Sequence, residues 1–411
     1  MVRRRAPRWS EFQQLLRPER IPLDPVERRL SRAHTIADLR AIAARRVPRA
    51  VFDYTDGAAE RELSLARARA AFARAEFHPA VLRDVSTADT ATMVLGRRWP
   101  LPFGLAPTGF TRMMHHEGER AAARAAQRAG ITFTLSTMGT TSIEQVTAEA
   151  PDARKWFQLY VWRDRAAGKD LVERARAAGF EALVLTVDTA VAGARMRDVR
   201  NGLTIPPALT PATVLDAALH PAWWINLLST EPLEFASLQE WRGTVAELVN
   251  SMFDPSVTFA DIEWLRALWP GPLLIKGIIT ADAARAAVEH GADGIIVSTH
   301  GGRQLDRAAG TLEVLAPIVD AVGDRAEVLL DTGIMSGGDI VAALALGARA
   351  CLVGRAFLYG LMAGGERGVD KAIAILSAEV TRTLQLLGVA SVAELNRSHV
   401  SLRGPGEHGL G

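Results

Sequence analysis

The amino-acid sequence predicts an α/β fold: a closed (β/α)8 TIM barrel with an N-terminal helical extension and one long insertion after strand 4. From residue 100 onward, eight short apolar runs recur, as is typical of strands buried on both faces. Each run ends in polar residues or glycine and is followed by a helical segment rich in Ala and Arg. The alternative, a doubly wound open sheet, is disfavoured because no GxGxxG pattern follows the first run.

The elements follow one another in a simple order. The predicted strands are 102–107, 132–137, 155–161, 182–188, 272–278, 294–300, 327–333 and 350–355. Before them, helical spacing of apolar residues predicts helices at 36–50 and from Ala58 to Phe72. We interpret the 411 residues as a single domain, 1–411, with an extension at 1–99 and a barrel at 100–390.

One connection departs from this rhythm. Residues 189–271 separate the fourth strand from the fifth, far more than a usual loop, so we place an insertion at 190–260. It contains the segment HPAWWINLL at 220–228. Two interpretations remain open: a packed helical cap over the barrel mouth, or an apolar patch that enters a membrane interface, where tryptophan is enriched.

Composition limits the function classes. A hydrophobic fraction of 48% is ample for a core, and a net charge of +2 gives no indication of a nucleic-acid partner. A single cysteine, Cys351, excludes an internal disulfide and favours a reducing cytoplasm. The basic N-terminus lacks the apolar stretch of a secretory signal, and no run approaches the ~20 apolar residues of a membrane span. We therefore expect a cytoplasmic protein without a metal, with peripheral contact at the inner face of the cell membrane through 220–228 as the open alternative.

Polar residues stand at the ends of the predicted strands, which a barrel brings to one face. They are Thr108, Ser136, Gln158, Tyr160, Thr186, Asp188, Lys276, Ser298, His300, Arg303, Asp331, Gly354 and Arg355. His300 near Asp188 would be an oriented imidazole base. Arg303, with Arg195 from the segment after the fourth strand, could hold a carboxylate. Two tyrosines could hydrogen-bond a substrate oxygen: Tyr54 and Tyr160.

The remaining strand ends indicate an anionic cofactor. Lys276 has two open roles: a Schiff-base nucleophile, or a fixed positive charge beside a cofactor that becomes anionic on reduction. The glycine-rich turn at 331–339 runs into a helix N-terminus, which with Gly354 and Arg355 predicts a phosphate site, while Asp331 suits a polyol hydroxyl. The alternative there is a plain tight turn. Together these groups fit oxidation of a 2-hydroxy acid by a bound flavin mononucleotide (FMN).

At this point the motifs are recognisable. They are FDYTDGAAE, LAPTGF, FQLYVWRDR, LTVDTAVAGARMRDVRNG, LIKGI, STHGGRQLD, DTGIMSGGDIVAALALGA and GRAFLYG. Through them the chain, over roughly residues 35–400, resembles the FMN-dependent 2-hydroxy-acid dehydrogenases and oxidases. PTGFTR, GARMRDVRNG and DTGIMSG resemble most the bacterial quinone-linked L-lactate dehydrogenases within that family.

The resemblance implies specific roles. His300 would be the base with Asp188 as its partner, and Lys276 would stabilise the reduced flavin near its N1 edge. Substrate contacts would come from Tyr54, Tyr160, Arg195, His300 and Arg303. Flavin contacts would come from Pro107, Thr108, Gly109, Ser136, Gln158, Thr186, Lys276 and Ser298, and ribityl and phosphate contacts from Asp331, Gly333, Gly354 and Arg355. The family resemblance also implies a homotetramer.

The implied function is oxidation of L-lactate to pyruvate with electrons passed to a quinone. Gly109 favours a dehydrogenase, because oxidases of the family tend to carry alanine there. Two departures from the family motifs are Thr299 in place of asparagine and Met335 in place of arginine. The alternatives are a 2-hydroxy-acid oxidase or monooxygenase using dioxygen, a mandelate- or glycolate-type dehydrogenase, a lyase using Lys276 covalently, and a silent FMN-binding paralogue.

Overall fold

A closed barrel of eight parallel strands forms the centre of the computed structural model, which describes residues 5–6, 8–15, 22–202, 216, 218–233 and 253–404. The strands are β1 (Ala75–Phe77), β2 (Thr92–Val94), β3 (Arg97–Trp99), β4 (Phe103–Thr108), β5 (Thr132–Ser136), β6 (Arg154–Leu159), β7 (Ala182–Thr186), β8 (Leu273–Ile278), β9 (Gly294–Val297), β10 (Glu327–Leu330), β11 (Ala350–Val353) and β12 (Val400–Leu402). The barrel order is β10-β11-β4-β5-β6-β7-β8-β9, with β9 closing onto β10. The predicted fold class is confirmed.

Helices surround the barrel and precede it. They are α1 (Trp9–Leu15), α2 (Pro25–Leu30), α3 (Ile36–Arg46), α4 (Arg49–Asp56), α5 (Leu63–Ala73), α6 (Thr111–Met114), α7 (Gly118–Ala129), α8 (Ile143–Glu149), α9 (Arg165–Ala177), α10 (Met196–Arg200), α11 (Pro221–Leu228), α12 (Ala260–Leu268), α13 (Ala281–Glu289), α14 (Thr311–Val322), α15 (Gly337–Ala345) and α16 (Arg355–Leu387). The backbone of α16 leaves helical geometry at Gly364 and Gly365.

Strand register places polar residues side by side at the carboxyl ends. Ser136 on β5 pairs with Gln158 on β6, and Thr186 on β7 pairs with Lys276 on β8. Below them, alternate strand residues form an apolar cluster that includes Trp156, as expected for a filled barrel interior. The β2–β3 hairpin adds Trp99, whose ring lies 5.4 Å from that of Trp156. The barrel is therefore packed at one end and polar at the other.

The N-terminal extension differs from its prediction in two places, and both differences bring it to the barrel mouth. The predicted helix at 36–50 is two helices, because Pro48 separates α3 from α4. The helix predicted from Ala58 begins only at Leu63, since the backbone amides before it bond elsewhere. Ala59 N donates to Gly302 O at 2.9 Å and Glu60 N to Ala194 O at 2.7 Å. These two bonds fix the end of α4 against two mouth loops.

Helix α11 of the insertion is packed on one side and exposed on the other. On the inner side of α11, Trp223 Nε1 donates to Met113 O at 2.8 Å, and Arg112 donates to Pro232 O at 3.3 Å. On the outer side, Trp224, Ile225 and Leu228 are 37%, 50% and 75% exposed. The helix is thus packed on one face and apolar on the other. Within the described ranges, no helix is both long and apolar enough to cross a membrane.

Candidate active site

A cavity of about 450 Å³ opens at the carboxyl ends of the barrel strands. Among the predicted site residues, those that line it are Tyr54, Pro107, Thr108, Gly109, Ser136, Tyr160, Arg195, Lys276, His300, Arg303, Asp331, Gly333, Gly354 and Arg355. Directly behind this lining lie Gln158, Thr186, Asp188 and Ser298, each bonded to or paired with a lining residue. The fold thus gathers the whole predicted set, drawn from the N-terminal extension and from all eight barrel strands or the loops after them, around one cavity.

The imidazole of His300 is held by a carboxylate. His300 Nδ1 lies 2.9 Å from Asp188 Oδ1. Burial lowers the pKa of His300, although Asp188 opposes that effect. Burial acts against ionisation of Asp188, yet its proximity to His300 and Lys276 leaves its pKa below the usual value. The pair is therefore a neutral imidazole beside a carboxylate, with the second imidazole nitrogen available as a base.

The backbone at His300 is strained and is fixed by hydroxyl groups. His300 has a φ of 55°, in the left-handed region that a side-chain-bearing residue rarely adopts. Its amide donates to Ser298 Oγ at 3.0 Å. The neighbouring amides of Thr299 and Gly301 donate to Thr332 Oγ1 at 3.3 Å and 3.0 Å. Thr332 therefore positions the base, and sequence reasoning missed it because no local pattern links residues 32 positions apart.

Two guanidinium groups flank one tyrosine ring. The Arg303 guanidinium carbon lies 4.8 Å from the Tyr54 ring centroid and that of Arg195 lies 5.5 Å from it. Burial and the neighbouring Arg195 charge lower the pKa of Arg303 to about 10. Arg303 Nη1 also donates to Tyr54 O, which fixes its orientation and leaves other N–H donors for a ligand. Two crowded cations in a cavity suit a bound carboxylate.

The lysine predicted beside the flavin lies in an ion pair. Lys276 is 4% exposed, and its Nζ lies 3.2 Å from Asp331 Oδ2 and 3.0 Å from Ser298 Oγ. Asp331 Oδ1 also accepts the Thr332 hydroxyl at 2.8 Å. A polyol hydroxyl bound at Asp331 would therefore share the carboxylate with Lys276 and Thr332, which already bind it. This arrangement supplies a buried, oriented positive charge at the cavity wall.

Part of the turn predicted to bind phosphate is already hydrogen-bonded within the protein. The amides that begin α15 are already engaged: Ser336 N donates to Asp339 Oδ2 at 3.0 Å and Gly337 N to Glu379 Oε2 at 2.7 Å. These two amides are therefore not free to bind a phosphate. Arg355 donates to Thr55 O at 2.9 Å and Gly57 O at 2.7 Å, so it also binds the end of α4. Gly333 and Gly354 remain at the cavity wall.

Buried polar atoms at the top of β6 and β7 fit a flavin edge. Ser136 Oγ donates to Gln158 Oε1 at 2.9 Å, which orients the Gln158 amide. Gln158 Nε2 and Thr186 Oγ1 are buried and have no hydrogen-bond partner within the described part of the chain. A buried polar atom without a partner is costly, whereas the flavin ring edge offers both donors and acceptors. The residues present therefore fit FMN.

The departure at Thr299 has a visible structural result. Its hydroxyl is also buried and has no partner in the described segments, while its amide bonds to Thr332. The loop is thus held through the backbone and Thr332, and a threonine is compatible with the position of His300. Met335 lines the cavity and offers no charge there.

The chain is similar in sequence to a known protein family and to named enzymes. The model of the FMN-dependent dehydrogenase family matches residues 43–402. A Mycobacterium tuberculosis protein provisionally named L-lactate dehydrogenase is 58% identical over 400 residues, 97% of each chain. An L-lactate dehydrogenase of Caulobacter vibrioides is 44% identical over 375 residues, 90% of this chain and 97% of its own.

A solved structure is similar in fold as well as in sequence. The (S)-mandelate dehydrogenase described as a monotopic membrane protein superposes with a TM-score of 0.87 and 39% identity, over 90% of this chain and all of that chain. The family match spans most of the sequence, and with the site geometry it confirms the resemblance drawn from the motifs. The chain belongs to the FMN-dependent dehydrogenase family, and its cofactor is FMN.

Proposed function

We propose that this enzyme oxidises L-lactate to pyruvate and passes the electrons to a membrane quinone. The observation that carries the proposal is the Asp188–His300 pair, at 2.9 Å, facing the same cavity as the guanidinium groups of Arg195 and Arg303. A base beside a carboxylate clamp is what a 2-hydroxy acid requires. The names of the relatives from Mycobacterium tuberculosis and Caulobacter vibrioides support L-lactate as that acid.

The residues of the site have distinct roles in this reaction. Arg303 and Arg195 bind the substrate carboxylate and orient the carbon that is oxidised. Asp188 accepts the Nδ1–H of His300, which leaves Nε2 unprotonated to take one proton from the substrate. A bound FMN would supply the acceptor for the two electrons and the second proton that the substrate loses. Lys276 provides a fixed positive charge at the cavity wall, and Tyr160, stacked 6.5 Å from the His300 ring, supplies a phenol beside the base.

The acceptor is proposed from the insertion and from Gly109. The exposed outer side of α11 suits contact with a membrane surface, where a quinone would be found. The neighbour described as a monotopic membrane protein supports such contact. Gly109 lies in close contact with Met138, because a Cβ at position 109 would stand 2.6 Å from Met138 Cβ. The close approach of Gly109 to Met138 supports a flavin site with little free space at this wall of the cavity.

The experiment is anaerobic bleaching of the flavin absorption. The yellow holoenzyme is mixed with L-lactate, glycolate and L-mandelate in turn, and the rate and extent of bleaching are recorded. We expect L-lactate to bleach fastest at limiting concentration. Faster bleaching by L-mandelate would reassign the enzyme to the mandelate type, and no bleaching with any acid would make it a silent FMN-binding protein.

A further inference from the structure

A second cleft lies outside the active site, on the face of the protein that carries α11. It has a volume of about 280 Å³ and lies between α2, α3, α11, α16 and the turn before α7. Its basic and polar lining includes Arg29, Arg46, His115, His116, Asn226 and Arg367. We refer to this group as the arginine cleft. Asn226 brings the inner side of α11 directly to it.

The cleft holds two positive charges that the protein itself does not neutralise. Two acids also line the cleft: Glu366 lies 2.7 Å from Arg124, and Glu117 accepts the Glu366 amide at 3.0 Å and lies 3.4 Å from His115 Nδ1. Arg367 is paired with Asp24 at 2.6 Å. Arg29 and Arg46, by contrast, form no ion pair within the described part of the chain. Arg29 Nε donates only to a carbonyl, Ala363 O, at 2.7 Å.

The basic groups of the cleft lie close enough to influence one another. Burial lowers the pKa of Arg29, and the charges of Arg46 and Arg367 lower it further. Burial, with the charges of His116, Arg46 and Arg29, lowers the pKa of His115 to about 3, so its ring is neutral at physiological pH. His116 Nδ1 is buried and has no hydrogen-bond partner among the residues described. The cleft thus combines crowded cations with an unused imidazole nitrogen.

We propose that the arginine cleft binds the phosphate group of an anionic phospholipid. Guanidinium groups bind phosphate oxygens bidentately, and a neutral imidazole adds a hydrogen bond. The lipid source follows from position: α11 contributes Asn226 to the cleft while its outer side exposes Trp224, Ile225 and Leu228. A headgroup in the cleft would therefore lie beside the apolar surface that meets the acyl region. This inference rests on the membrane contact proposed above.

The test compares Arg46→Gln with Arg45→Gln. Arg45 is the exposed neighbour of Arg46 on α3 and does not line the cleft. Arg45→Gln therefore removes the same charge from the same helix but outside the cleft. Binding of each holoenzyme to phosphatidylcholine vesicles, with and without phosphatidylglycerol, is measured by co-sedimentation. We expect Arg46→Gln to lower affinity for the anionic vesicles roughly fivefold, the value for one basic residue at an anionic surface, and Arg45→Gln to lower it less. Turnover with an artificial dye confirms that both variants are folded and tests the proposed activity separately.

Three results would overturn the proposal. Equal losses for the two variants would mean diffuse surface charge rather than a site. Unchanged binding of Arg46→Gln to anionic vesicles would remove the cleft from lipid recognition. The third result is that inorganic phosphate raises the melting temperature of the wild type but not of Arg46→Gln, and fails to compete with vesicles. That result would assign the cleft to a soluble phosphate. Binding of the wild type to neutral vesicles measures the contribution of α11 alone. If the wild type does not bind neutral vesicles, the proposed membrane contact of α11 is wrong.

Discussion

The barrel mouth and the outer side of α11 both depart from the usual distribution of side chains, in which charged groups are exposed and apolar groups are buried. At the mouth, charged groups are buried: Lys276 is 4% exposed, and burial is the main influence on the pKa of both His300 and Arg303. On α11, apolar groups are exposed, with Leu228 at 75%. A buried charge and an exposed apolar patch both cost free energy in isolation.

The difference between the regions lies in what offsets that cost. The mouth largely offsets it internally, through ion pairs and hydrogen bonds such as Lys276–Asp331 and His300–Asp188. The outer side of α11 is not covered by the described part of the chain, which suits the membrane contact proposed above. Variants of the mouth should therefore alter chemistry, and variants of α11 should alter location without altering chemistry.

The largest effect is expected for His300→Gln. Glutamine keeps a polar side chain but cannot take a proton, so flavin reduction by L-lactate should slow by ~10²–10⁴. FMN content, read from the absorption spectrum, should stay at the level of the wild type. Reduction at a near-normal rate in a stopped-flow experiment would show that another residue is the base.

Arg303→Lys tests the carboxylate clamp while the charge is kept. Lysine lacks the planar fork and cannot reproduce the orientation that Arg303 gains by donating to Tyr54 O. Loss of hydrogen bonds to a charged group should lower kcat/KM by roughly 10- to 100-fold. Steady-state kinetics with an artificial dye measure the change, and an unchanged kcat/KM would exclude Arg303 from the clamp.

The third prediction concerns α11. Trp224→Ser with Leu228→Ser should move the protein from the membrane pellet to the supernatant, with affinity for vesicles lowered roughly tenfold or more by the lost apolar burial. Dye-linked turnover should be unchanged. Trp223→Ser is the contrasting variant, because Trp223 Nε1 is bonded to Met113 O and should affect stability. Loss of flavin in the Trp224, Leu228 double variant would show that this side is packed core.

These regions also differ in how far the sequence predicts them. The eight strands and the position of Asp188 and His300 at the mouth follow from local patterns, because parallel strands end on one face. The two sides of α11 do not: Trp223 and Trp224 are adjacent in sequence, and only the contact with Met113 decides which one faces inward. The sequence therefore left both interpretations of the segment open.

Thr332→Val is expected to have a smaller effect at the mouth. Valine keeps the shape but removes the oxygen that accepts the Thr299 and Gly301 amides, so the strained loop at His300 loses its support. We expect kcat to fall roughly fivefold to tenfold. Thr332→Ser restores the hydroxyl and should recover most of the activity. Equal activity of the valine and serine variants would remove the positioning role.

Thr332 also shows why part of the site could not be predicted. Its partners lie about 30 residues earlier in the chain, and those of Arg303 and Arg355 on α4 lie some 250 to 300 residues earlier. Contacts over such distances leave no periodic or spacing signal. The helix that fails to begin at Ala58 has the same cause, because Ala59 and Glu60 bond to loops that the sequence places far away.

The smallest effect is expected for Gly109→Ala. A Cβ there would stand 2.6 Å from Met138 Cβ and 3.1 Å from Met138 O, so the wall of the cavity must shift. We expect a modest rise in the rate of peroxide formation in air, with lactate oxidation retained. A peroxide assay compares the variant with the wild type. An unchanged or lower rate of peroxide formation would show that Gly109 does not influence the choice of electron acceptor.

A double-mixing stopped-flow experiment tests the proposed oxidation of L-lactate with a quinone acceptor most directly. The holoenzyme is first reduced anaerobically by L-lactate and then mixed with either a quinone analogue or dioxygen at equal concentration. We expect complete reduction by L-lactate, fast reoxidation by the quinone and slow reoxidation by dioxygen. Reoxidation by dioxygen as fast as by the quinone would contradict this expectation and make the protein an oxidase.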